Sequence, residues 1–318
     1  VWLHPRSPPR RMVKRALCVG CNYPCKAFGL TGAVNDAFLV AECLQAHCGF
    51  ESEHVTVLHD VHPGQKKSVK VSPALLPTRV NVLQSMQRLV RAARPGDVLF
   101  FSFAGYGLQV RDLDCPDPDG GFDEAVLPTD YQDDGLDGDY GVIMTSDIHD
   151  VLLGAPRNCA VTVLMDCDHA TTVVDVAGPE DALLLRGLSL DQIPCMEANS
   201  STKAKLAKHN QEIWHEDRAR QLKARPRFQA AAEVANPRRG RLPTRPSMSR
   251  SLPVAFCFSA AGHGCTALEL QVTVTIGEGA GEVVSRTHGV LSWCFARALE
   301  ELGPEGSTYP ELRDFIQQ

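Results

Sequence analysis

Two short polar turns and one helix start in this chain carry side chains that could do chemistry, and each lies downstream of an apolar run. Asp166-Cys167-Asp168-His169 follows residues 160–165, Ala104-Gly105-Tyr106-Gly107 follows 98–103, and Asn35-Asp36 lies a little beyond 16–21. An apolar strand ending in a polar turn is where an α/β enzyme displays its reactive groups. A thiol beside carboxylates and an imidazole suggests nucleophilic catalysis. Adjacent strand residues point to opposite faces, however, so Cys167 should face the core and leave Asp166 and Asp168 on the other side. Two carboxylates could also run aspartic-protease chemistry, which needs them about 3 Å apart sharing a proton. Side chains two apart along a strand are separated by roughly 6–7 Å, and that excludes it. Tyr106, with an ordinary phenol pKa of about 10, is a poor proton acceptor near neutrality. His169 reads as a turn residue, as does His263 in Ala261-Gly262-His263-Gly264. Cys18 and Cys21 form a C-x-x-C that invites a redox or zinc reading. Cys18 lies inside an apolar run, and no second pair completes four ligands, so core packing is the reading.

The elements that must position these turns follow from the hydrophobic pattern. Apolar runs at 16–21, 54–59, 98–103, 160–165 and 253–258 predict buried strands. Residues 33–48 place Val34, Phe38, Ala41, Leu44 and Cys48 at helical spacing and stop at Gly49. Residues 78–93 predict a helix capped by Thr78, with Val82, Met86, Leu89 and Val90 on one face. A short helix at 146–153, an exposed alternating strand at 268–276 with a turn after it, and helices at 289–302 and 309–316 complete the pattern. Residues 111–140, rich in Asp and Gly, read as a solvated loop or set of turns. Strands alternating with helices predict an α/β fold with a mostly parallel sheet covered on both faces.

With 318 residues the chain can bury one large core. Its 44% apolar and 22% charged content excludes a disordered or fibrous class. No apolar run is long enough to span a bilayer, so no membrane association is expected. The sequence starts Val1-Trp2-Leu3 without a methionine and stays basic to Arg15, so Met12 is a candidate start and the chain a candidate fragment. The leader has neither a secretory signal's apolar core nor a transit peptide's amphipathic pattern. Twelve cysteines at irregular spacing fit core packing in a reducing compartment, and the expected location is cytoplasmic. Charge is uneven: residues 186–250 hold 14 Lys+Arg against 6 Asp+Glu, a net of +8, so the remainder carries −14 against the whole-chain −6. That stretch, interrupted by four prolines after residue 225, predicts a basic and mostly disordered insertion. With little aromatic interleaving, it would support only non-specific, salt-sensitive nucleic-acid contact.

Four further signatures stand in order along the chain. They are residues 15–23 (Arg-Ala-Leu-Cys-Val-Gly-Cys-Asn-Tyr), residues 30–37 (Leu-Thr-Gly-Ala-Val-Asn-Asp-Ala), residues 119–130 (Asp-Gly-Gly-Phe-Asp-Glu-Ala-Val-Leu-Pro-Thr-Asp), and 289–312. With the turns at 106 and 168, they resemble the metacaspases, the caspase-like cysteine peptidases of plants, fungi and protists. That family reads Ser-Gly-His-Gly at the first turn and Asp-Ala-Cys-His-Ser-Gly at the second. The resemblance implies a caspase-like three-layer sandwich: an extension at 1–12, a large part at 13–185, the insertion at 186–250 as inter-part linker, and a small part at 251–318. Tyr106 stands at the family's catalytic histidine and Asp168 at its cysteine, with Gly107 at the oxyanion position. Asp36 and Asp166 match the acids of its Arg/Lys-binding pocket, with Ala104 in place of a serine. Asp123 and Asp175 match two of four calcium-binding acids, while the other two fall where Thr145-Ser146-Asp147 stands. Calcium prefers six to eight hard oxygens, so that site is expected to be weakened. These substitutions imply a non-proteolytic monomer that binds a basic peptide or its own linker, or regulates an active relative. An active peptidase with Cys167 as relocated nucleophile is the alternative.

Overall fold

The structure is a computed structural model that describes residues 10–26, 29–63, 70–112, 121–132, 141–168, 184–185, 254–260, 267–276, 282–303 and 308–317. Its centre is a parallel sheet built from β1 (Lys14–Gly20), β2 (Val55–His59), β3 (Val98–Ala104), β7 (Ala160–Asp166), β8 (Leu184–Leu185) and β9 (Val254–Ser259). Their spatial order is β2-β1-β3-β7-β9-β8, with every neighbouring pair parallel. The strand runs of the sequence reading are all present, with ends moved by one or two residues.

Alternation along β3 sorts the core into two layers. Leu99, Phe101 and Phe103 face α2 (Arg79–Ala92) and α3 (Thr145–Leu153), packing with Val82, Met86 and Ile148. Phe100 faces the other side with Cys18, Leu164 and Phe258. There it meets α1 (Ala33–Cys48), α4 (Val290–Leu302) and α5 (Tyr309–Ile316), through Val40, Leu44, Leu291 and Phe295. Thr78 caps α2 as predicted, its side chain accepting from Asn81 N–H at 3.2 Å. Cys18 and Cys21 are fully buried in opposite layers, which rules out joint ligation or pairing.

Two expectations need correction. Part of the 111–140 stretch is not loop: β4 (Gly107–Asp112) and β5 (Gly121–Val126) form an antiparallel ribbon, extended by β6 (Ile143–Met144). Its apolar residues Ala125, Val126 and Leu127 are buried, a signal diluted in sequence by the surrounding Asp and Gly. Similarly, the strand after residue 268 is not single. β10 (Glu269–Ile276) pairs antiparallel with β11 (Glu282–Gly289), a polar strand that leads straight into α4. The insertion 186–250 lies outside the described residues.

The C-terminal segment belongs to the same core as the rest. The Phe295 ring lies 5.7 Å from Phe100 on β3 and 5.7 Å from Phe258 on β9. Phe295→Ala is expected to cost about 3–5 kcal/mol in a single cooperative urea transition. Two separate transitions, or an unchanged midpoint, would refute the shared core.

Candidate functional site

Gly20, Ala104 and Asp166 stand side by side where β1, β3 and β7 end. Ligands of open parallel sheets bind outside such carboxyl ends. Asp36, on the first turn of α1, is brought to this edge, close enough to feel the charge of Asp166. Its Oδ2 accepts Gly289 N–H at 2.9 Å, and its Oδ1 lies 2.9 Å from His288 Nδ1. Asp166 Oδ2 accepts Ser292 N–H at 2.8 Å in the first turn of α4. A Cβ on Gly289 would sit 2.2 Å from Asp166 Oδ2, so only glycine lets the strand meet the carboxylate this closely.

A third acid at this edge escaped sequence reasoning. Glu269 Oε1 accepts Gly32 N–H at 2.9 Å, at the start of α1. Burial raises the pKa of Asp36, Asp166 and Glu269; the Asp166 charge adds to the rise in the other two. Burial pushes His288 the other way, to about 4, with help from the Arg286 charge, so its imidazole is neutral near neutrality. Nothing local in the sequence marks Glu269 or His288, because their partners lie more than 200 residues away.

Tyr106 and Asp168 are both buried, at 6% and 3% exposure. Burial, then the charges of Glu269 and Asp168, push the Tyr106 hydroxyl well above its ordinary range, so it stays protonated and cannot act as a base. Tyr23 holds the turn in place. Its ring stacks on Tyr106 with centroids 5.2 Å apart, and its hydroxyl accepts Tyr106 N–H at 3.0 Å while donating to Leu127 O at 2.7 Å. Tyr23 adopts φ +50°, a left-handed conformation costing about 1–3 kcal/mol for such a residue. Asp60 fixes it by accepting Asn22 N–H at 2.9 Å and Tyr23 N–H at 2.7 Å.

Asp168 Oδ1 accepts Ala267 N–H at 2.5 Å. Gly107, the oxyanion position, packs so tightly on the Asp168 main chain that a Cβ there would lie 1.7 Å from its carbonyl oxygen. Cys167 is fully buried in the α2-side layer, as the strand alternation predicted. Burial, followed by the charges of Asp168, Asp166 and Glu124, drives its thiol well up, which leaves no thiolate to attack with.

Of the calcium positions, Asp123 lies on β5 and Asp175 lies outside the described residues, as does His263. Asp147 is engaged as a helix cap, accepting Met144 N–H at 3.3 Å. Among the described residues, only Glu51, Glu53 and His54 bring three ligand atoms within 4.8 Å of one another. That group sits at the opposite end of β2, and His54 Nδ1 there is 3.3 Å from Arg15. No three of the described acids at the carboxyl edge meet that spacing. Nor is any described helix long and apolar enough to cross a membrane.

Known proteins resemble this chain in sequence and in fold. Residues 14–177 match the family described as "Metacaspase, peptidase C14 domain". The chain is 35% identical over 164 residues to Metacaspase-1 of Cryptococcus neoformans var. neoformans serotype D, covering 51% of this chain and 33% of that protein. It is 32% identical over 166 residues to Metacaspase-7 of Arabidopsis thaliana, covering 52% and 37%. The chain thus spans little more than a third of the relatives it matches. Among solved structures, protein GSU0716 from Geobacter sulfurreducens superposes with a TM-score of 0.50 at 17% identity, over 96% of this chain and 88% of that one. That likeness concerns the fold, which is the caspase-like sandwich.

These acids set a pH dependence. The folded pKa values of Asp36, Asp166 and Glu269 are raised, so the folded state holds protons that the unfolded chain has released. The stability they contribute is complete at low pH and is lost as pH rises through the folded values. His288, lowered from 6.5 to about 4, opposes this: its contribution is lost as pH falls through that interval. Glu269→Gln keeps an acceptor for Gly32 but removes the charge, and should flatten the loss on the rising side in urea midpoints from mildly acidic to neutral pH. An unchanged slope would show that Glu269 is not strained there.

Proposed function

The chain belongs to the metacaspase family through its peptidase C14 domain, and on that premise we propose that it is a non-proteolytic member that binds Arg or Lys side chains. One contrast carries the reading. The positions that would perform peptide cleavage hold a protonated phenol and a buried carboxylate, while Asp36 and Asp166 keep two acids beside them and Glu269 adds a third. Phenol and carboxylate do not replace an imidazole and a thiolate, and a carboxylate repels the oxyanion that acyl transfer must stabilise. Asp36 and Asp166, both buried, and the half-buried Glu269 have no described Lys or Arg paired to them, which favours an organic cation as the ligand.

In this reading a guanidinium or ammonium enters between Asp36, Asp166 and Glu269. It is presented by a basic peptide, or by the chain's own basic stretch at 186–250 through charge complementarity with the acidic body. An active metacaspase is the kind of relative such a protein would regulate, by competing for the same basic sequences. Calcium has no assigned part, since half of the matching acids are replaced.

Two measurements test this. The natural chain should not cleave Arg- or Lys-terminated fluorogenic peptides, with or without calcium, whereas Tyr106→His/Asp168→Cys should gain cleavage. Activity in the natural chain would overturn the reading. Calorimetry should show argininamide binding that Asp166→Asn weakens about tenfold or more, since a charge-assisted hydrogen bond is worth roughly 1.5–3 kcal/mol. Asparagine still offers Ser292 an acceptor, so equal affinity in that variant would remove Asp166 from the pocket.

A further inference from the structure

The carboxylate at 168 does something for which a thiol is poorly suited. Asp168 Oδ1 accepts Ala267 N–H across 99 residues of sequence. The next residue, Leu268, gives its carbonyl to Val290 N–H at 2.9 Å, at the start of α4. The one after, Glu269, reaches Gly32 N–H at 2.9 Å, at the start of α1. Three consecutive residues are thus pinned at three elements, and the stretch 267–269 runs as a strap from the end of β7 to the start of α1. Val290 follows Gly289, whose N–H serves Asp36, so the strap runs beside a donor that holds one acid and itself supplies another, Glu269. Asp168 itself has little room to move. It is 3% exposed, and its main chain rests on Gly107. A shielded, charge-assisted bond of this kind is among the stronger hydrogen bonds, whereas a cysteine sulfur is a weak acceptor.

We propose that Asp168 is a latch: the position where the family keeps its nucleophile here holds the strap 267–269 closed over the acidic pocket, and ligand entry requires the Asp168–Ala267 bond to open. The gating half rests on the pocket being a cation site; the latch does not.

Hydrogen exchange of the Ala267 amide in the full chain tests the latch. Asp168→Ala should exchange at that amide at least tenfold faster, with β3 amides unchanged, and Asp168→Asn should fall between the two. An unchanged Ala267 rate in a folded Asp168→Ala overturns it. If Asp168→Ala does not fold, Asp168→Asn decides alone, and a rate equal to the natural chain's overturns the latch.

Stopped-flow association of argininamide tests the gate. Removing a negative charge by itself slows capture of a cation, so faster association by Asp168→Ala, about tenfold, supports gating. Faster exchange with slower or equal association overturns the gate and keeps the latch. No binding by either protein overturns the cation-site reading and the gate with it, while the exchange measurement still judges the latch.

Discussion

A carboxylate taken out of water is costly unless fixed donors replace the solvent it loses, and four of them meet at the carboxyl edge of this sheet. The replacement donors are backbone amides, most of them at the starts of two helices. Gly32 opens α1 toward Glu269, while Gly289 and Ser292 open α4 toward Asp36 and Asp166. Helix starts favour negative charge, so α1 and α4 stabilise the acids as the acids cap the helices. Neither helix could be shifted along the sheet without leaving one of these carboxyl groups without its partner. The close contact at Gly289 follows from the same demand, and so does the sharp passage from β11 into α4.

Much of the architecture was readable because it rests on local alternation. Leu99, Phe100, Phe101 and Phe103 state in sequence which layer each belongs to, and Gly49 and Thr78 mark helix ends by their chemistry. The turns at 106 and 168 were legible for the same reason, as polar residues at the ends of apolar runs. What escaped was non-local. β11 is polar along much of its length and becomes a strand by pairing with β10, and β5 hides a buried run among acids and glycines. Glu269 and His288 look like ordinary surface residues until the fold carries them to Gly32 and Asp36.

The turn at 106 shows how a main chain can be held independently of the side chain it carries. Tyr23 grips the main chain of residue 106 through its hydroxyl, and a main-chain contact is indifferent to which side chain follows. What the tyrosine at 106 adds is a ring that Tyr23 can stack upon, so the turn has become a packed aromatic corner. The turn is therefore packed around a buried tyrosine.

β9 lies between β7 and β8 in space, although it is separated from β7 by the long interval between Asp166 and Val254. Closing that interval has an entropic cost that rises only with the logarithm of its length, by about 0.6 kcal/mol per doubling. Lengthening or shortening it therefore changes equilibrium stability little. Its weight falls on rate: β9 is a distant strand that must find an interior slot in a parallel sheet, the slowest kind of pairing to form. Until it docks, one edge of β7 stays unpaired. The length of this interval thus acts as a timer on how long the newly made chain remains exposed to aggregation.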